Sequence, residues 1–131
     1  MGTIVRSANA FGVRHVHVVG RRQWNKRGAM MTDKYLHVHY HAETDGFLQA
    51  IAGKELIAID NVAGSQPLAR AKLPKNAVLL FGAERSGIRP ELLTEAAQIA
   101  AIEQFGSTRS LNVGVAAGIA MYAWVQQHKL R

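Results

Sequence analysis

The chain has no cysteine, only three prolines and 7% aromatic residues, and its acidic side chains are in the minority. Without cysteine there can be no disulfide, thiolate metal site or cysteine nucleophile. Nine Asp and Glu against sixteen Lys and Arg leave a formal charge of +7 with the six histidines neutral. That excess points to a polyanionic partner, nucleic acid first and an anionic membrane surface second. Neither a paired-carboxylate site nor a Ser-His-Asp order is present to suggest hydrolysis. No signal peptide is visible, because Met1–Val5 is uncharged and Arg6 interrupts any apolar run, so cytoplasm is the expected location. The apolar stretch Leu111–Val125 is too short to span a bilayer.

What is present fits one compact α/β domain over 1–131, with 48% hydrophobic content and no repeat or low-complexity segment. The patterning predicts a helix over Thr3–Phe11 ended by Gly12, a strand His15–Val19 and a basic loop, 21–28. A strand Leu36–Tyr40, a helix Asp45–Ala52 closed by Gly53 and a strand Glu55–Asp60 follow. Asn61–Lys75 reads as a polar connection, Asn76–Phe81 as a strand, and Glu91–Ala97 as a short helix opened by Pro90. Gln98–Ile102 is a fifth strand, Phe105–Arg109 a tight polar loop, and Ser110 the expected N-cap of a helix over Leu111–Val125. That helix is apolar on nearly every face, which requires burial in a core or between subunits. Alternating strands and helices imply a parallel sheet flanked by helices, with ligands bound beyond the carboxyl ends of its strands. The loops after Asp60, Phe81 and Ile102 leave such ends. None carries a dinucleotide or Walker fingerprint, so an apolar heterocycle held by backbone groups suits them better than a pyrophosphate.

Three segments, taken together, resemble the SpoU-type (TrmH-like) branch of the SPOUT RNA methyltransferases. They are Gly2-Thr3-Ile4-Val5-Arg6-Ser7-Ala8, Leu80-Phe81-Gly82-Ala83-Glu84-Arg85-Ser86-Gly87-Ile88, and Ser110-Leu111-Asn112-Val113. The resemblance implies a SPOUT fold with a C-terminal trefoil knot and a homodimer. S-adenosylmethionine would be the methyl donor, and the acceptor a ribose 2′-hydroxyl of tRNA or rRNA. By the same resemblance the donor's adenosine lies against backbone near Ile59, Gly82, Ile102, Ser110 and Leu111. Catalytic positions fall on Arg6, Glu84, Ser110 and Asn112. A guanidinium is not deprotonated in proteins, so Arg6 is expected to anchor a phosphate and stabilise the developing alkoxide rather than act as a base. The family's first motif normally begins with an Asn two residues before the glycine matching Gly2, preceded by a strand. Here Met1 takes the intervening position, so the first strand is expected to be missing. A catalytically silent knotted RNA-binding protein is therefore the alternative.

Arg21, Arg22, Lys26 and Arg27 are candidates for clamping RNA phosphates, with Trp24 stacking on an unpaired base. Arg85, Arg89 and Arg109 would extend the same positive surface, together with Arg6. His37, His39 and His41 alternate along a strand and so share one face, as do His15 and His17. No carboxylate joins either run, so the expectation is a polar sheet surface and no metal.

Overall fold

A computed structural model describes residues 2–20, 36–83, 86–107 and 111–130. The chain forms two compact units, Met1–Ala52 and Gly53–Arg131.

The first unit opens with α1 (Gly2–Ala10), which buries Val5 and Ala8. The helix ends in a Schellman turn. Val13 N–H donates to Ala8 O at 2.9 Å and Gly12 N–H to Asn9 O at 3.2 Å, with Gly12 at φ 78° as the left-handed residue the turn needs. Strands β1 (His15–Val19) and β2 (His37–His41) pair in parallel, with His15 opposite His37 and His17 opposite His39. The shared-face expectation therefore extends across both strands. His15 Nδ1 lies 3.0 Å from His39 Nε2, and His17 Nδ1 lies 2.9 Å from His41 Nε2. The rings stack, at 4.7 Å for His17 and His39 and 5.5 Å for His15 and His37. Helix α2 (Thr44–Ala50) sets the buried Phe47 edge-on to His17 and His41. Among the described residues no group of histidines and carboxylates is arranged to hold a metal ion.

The second unit is built on a four-stranded parallel sheet in the order β4-β6-β3-β5, formed by β3 (Glu55–Ile59), β4 (Gln66–Pro67), β5 (Ala77–Leu80) and β6 (Gln98–Ala101). Central β3 is flanked on both sides, and Leu56, Ile57, Ala58 and Ile59 are all buried. Its uninterrupted apolar run is what a doubly covered parallel strand requires. The expected polar connection 61–75 contains β4 and a 3₁₀ turn, Leu68–Arg70. Two residues with a proline carry no strand signal of their own. Pairing of Gln66 with Ala100 and Pro67 with Ala101 makes them one. Helix α3 (Pro90–Glu95) has proline in its first turn and buries Leu92.

Helix α4 (Val113–His128) turns Gly114, Ala117, Ala120 and Met121 inward. Its last turns are tied to the stretch before β5. Trp124 Nε1–H donates to Pro74 O at 2.9 Å, and Gln127 bonds both Leu73 N–H (2.8 Å) and Ala71 O (2.9 Å). The expected N-cap, Ser110, is corrected here: the cap is Asn112, whose side chain accepts from Gly114 N–H at 2.8 Å and Val115 N–H at 3.2 Å. Both residue types cap well, and the helix starts at Val113, two positions later than its apolar pattern implied. Nor is α4 buried all round within its unit: Val115, Ile119 and Tyr122 stay 51%, 41% and 45% exposed. No described helix is long and apolar enough to cross a membrane.

Candidate functional site

Register decides which loops meet. Ala58 pairs with Leu80 on one side and with Ile99 on the other, and Ile59 with Ala100. The carboxyl ends of β5, β3 and β6 therefore finish side by side. Strands in a sheet are spaced about 4.8 Å apart, so three strand ends span about 10 Å, the breadth of one nucleoside.

The middle end is polar. Asp60 N–H continues the sheet to Ala100 O at 2.9 Å, while its carboxylate turns back and accepts Asn61 N–H at 2.9 Å. On the β5 side the chain doubles back on itself. Ala83 and Gly87 form an antiparallel bridge, with Gly87 N–H donating to Ala83 O at 2.9 Å and Gly87 at φ 70°. A Cβ on Gly82 would lie 2.2 Å from Gly87 C and 2.3 Å from Ile88 N, so this turn closes only around glycine. The same turn brings Gly87 beside the Asp60 carboxylate, 3.8 Å from a Cβ placed on it. Ile59 and Ile88 are buried, while Phe81 and Ile102 pack partly buried against the core that holds Ile59, Leu68 and Ala120. Backbone groups framed by aliphatic and aromatic walls suit a flat heterocycle.

On the β6 side a cavity of about 280 Å³ opens between the loop after β3 and the loop after β6. Asn61, Gln66, Ile102, Glu103, Gln104 and Phe105 are among its lining. Gln98 donates its amide to Lys72 O at 2.9 Å and accepts Gln66 Nε2–H at 2.6 Å, which fixes the orientation of both amides.

Of the expected cofactor residues, the structure brings Ile59, Gly82 and Ile102 to one end of the sheet. Leu111 is half-buried, one residue before the cap of α4. Arg6 is an exposed residue of α1. Glu84, Arg85, Arg109, Ser110, Arg21, Arg22, Trp24, Lys26 and Arg27 lie outside the described residues. Asn112 spends its carbonyl oxygen on the helix, which gives it a structural role to separate from any chemical one. Asn112→Ala is expected to cost about 1 kcal/mol. Asn112→Asp should keep the cap, and its negative charge suits a helix N-terminus. Thermal unfolding checks the pair. If the Asp variant melts like the parent yet loses activity, the amide acts beyond capping.

Sequence reasoning missed Asp60, the Gln66–Gln98 pair and the exposure of Phe105. For Asp60 the signal was available: a carboxylate at the carboxyl end of an apolar strand, where ligand-facing loops begin.

A model described as the SpoU rRNA methylase family matches residues 1–122. The 23S rRNA (guanosine-2′-O-)-methyltransferase RlmB of Salmonella typhi is 34% identical over 137 residues, covering 97% of this chain and 55% of the relative. The tRNA (guanosine(18)-2′-O)-methyltransferase of Escherichia coli K12 is 25% identical over 134 residues, covering 98% of this chain and 58% of the relative. Among solved structures, an AdoMet-bound rRNA methyltransferase from Sinorhizobium meliloti superposes with a TM-score of 0.85 at 30% identity, covering 97% of this chain and 51% of that one. The chain spans about half the length of these proteins.

Proposed function

Since the chain belongs to the SpoU rRNA methylase family, we propose that it transfers a methyl group from S-adenosylmethionine to a ribose 2′-hydroxyl of tRNA or rRNA. The observation that carries this reading is the convergence of three loops at one end of the parallel sheet, with a turn that closes only around Gly82. The residues there fit the donor's adenosine: the aliphatic side chains of Ile59 and Ile102 and the ring of Phe81 beside bare backbone at Gly82. Ser110 and Leu111 complete the contact in this reading, and the C-terminal part is threaded as a trefoil knot. When bound, the sulfonium supplies the methyl group.

The chain's own residues orient the acceptor. Arg6 holds a substrate phosphate and stabilises negative charge growing on the ribose oxygen. Glu84 and Asn112 fix the loops around it, and Asn112 does so while capping α4. The +7 charge favours RNA in general, and Arg21, Arg22, Trp24, Lys26, Arg27, Arg85 and Arg109 carry that attraction locally. The protein works in the cytoplasm.

Isothermal titration with S-adenosylmethionine, followed by methyl incorporation into total RNA, tests the reading. Binding with transfer to ribose supports it. Absence of donor binding defeats it, and binding without transfer selects the catalytically silent alternative.

The functional unit in this reading is a homodimer. Val115, Ile119 and Tyr122 recur at helical spacing on α4 and form an apolar stripe that its own unit leaves open. A second copy laid against it buries the stripe. Ile119→Glu is expected to sediment as a monomer at concentrations where the parent sediments as a dimer. Equal sedimentation of the two rejects this interface.

A further inference from the structure

Phe105 is 92% exposed, far above any other large apolar side chain among the described residues; Leu130 follows at 61%. It stands at the rim of the 280 Å³ cavity, which is otherwise mostly polar. A bare aromatic ring beside a polar slot has a cost in water that a core residue does not. It matches the chemistry of a base-binding site, in which a ring takes the flat face and polar groups take the edge.

The volume fits one planar heterocycle and is small for a whole dinucleotide. The lining is also directional. Gln98 uses its own amide hydrogens on Lys72 O, so its oxygen faces Gln66 Nε2, and Gln66 Oε1 is the acceptor that this pair does not use. Glu103 adds a carboxylate that accepts only. Asn61, Ser65 and Gln104 add donors as well as acceptors, so the lining suits the mixed donor–acceptor edge of a base. The cavity lies on the β4–β6 side of the sheet end, whereas Gly82 follows β5 at the opposite edge.

We propose that Phe105 is the stacking platform for one unpaired RNA base, whose edge enters the cavity and meets Gln66, Glu103 and Asn61. The proposal rests on the RNA substrate given above and assigns the part of this unit that grips a base rather than the backbone. Such a contact would set which nucleotide is held, independently of the phosphate grip.

The test is a double-perturbation cycle on the full chain. The probe is a labelled single-stranded RNA ten-mer with one central guanine among uridines, compared with the same strand carrying an abasic ribose at the centre. Affinity is read by fluorescence anisotropy for the parent, Phe105→Ala and Phe105→Trp. Removing the ring or the base is expected to weaken binding by about 10-fold each, with little further loss when both are removed. Phe105→Trp should restore affinity for the guanine strand. Unchanged affinity in Phe105→Ala, additive losses, or no rescue by tryptophan overturns the proposal.

Two controls separate neighbouring explanations. S-adenosylmethionine affinity should be the same in the parent and Phe105→Ala; a selective fall would make this the donor's own pocket and overturn the assignment. Dissociation of a dimer by Phe105→Ala would make the ring a subunit contact, with the same consequence. If the parent itself binds no donor, the methyl-transfer reading fails, while the base-stacking cycle is still decided by its own arms.

Discussion

Gly82→Ala is expected to lower the melting temperature by about 10 °C and to abolish binding of S-adenosylmethionine. The added methyl carbon would sit 2.2 Å from Gly87 C, 2.3 Å from Ile88 N and 2.6 Å from Gly87 O. Non-bonded carbons come to rest at about 3.5–4.0 Å, so each of these is a hard overlap. All three atoms are backbone, and no rotamer change moves them. Relief requires opening the 82–88 turn, which breaks the Gly87 N–H bond to Ala83 O and lifts Ile88 from its buried place. The cost falls at the upper end of overpacking, about 3 kcal/mol. Gly87→Ala is the control. Its Cβ meets nothing closer than Asp60 Oδ2 at 3.8 Å, so only the left-handed φ of 70° is penalised. That costs about 1–2 kcal/mol. Differential scanning calorimetry should rank the parent above Gly87→Ala, and Gly87→Ala above Gly82→Ala. A Gly82→Ala protein that melts within about 2 °C of the parent would mean the turn does not close as described.

Gly82 also shows how far the sequence could be read. A glycine after an apolar strand suggests close approach of something, and the chain pattern placed it correctly at a strand end. What approaches is the chain itself five residues later, and no spacing rule says so. The long apolar runs behaved best: Leu56–Ile59 and Gln98–Ala101 are parallel strands because their composition demands cover on both faces. Where local signals tie, the sequence alone does not choose. Ser110 and Asn112 are both good caps two residues apart, and only the hydrogen bonds choose between them. Gln66–Pro67 has no strand propensity and acquires its state from β6. The histidine face was legible on each strand alone. Its continuation across two strands depended on a pairing that sequence distance conceals. Phe105 is the opposite case, since an apolar residue in a polar loop looks the same on paper whether it is buried or bare.

Arg6→Lys is expected to lower kcat by about 100-fold or more while leaving donor affinity and melting temperature close to the parent. Val5 and Ala8 bury one side of α1, and Gly12 locks its end, so the backbone at Arg6 is held while the residue remains exposed. Among the described residues α1 packs through Val5 and Ala8 and not through the exposed Arg6, which is why stability should not follow activity. Lysine keeps the charge and loses the planar fork. If the residue only attracted RNA, lysine would suffice and KM alone would shift slightly. If it grips a phosphate through two parallel N–H bonds and thereby sets the ribose oxygen in line with the methyl carbon, a single ammonium cannot reproduce the geometry. A small misplacement of the reacting atoms is enough for a loss of about 100-fold. Steady-state kinetics on an unmodified RNA that the parent methylates at ribose, with titration of the donor alongside, separates the cases. Turnover near normal in the lysine variant would remove the two-point grip and leave Arg6 as one positive charge among sixteen.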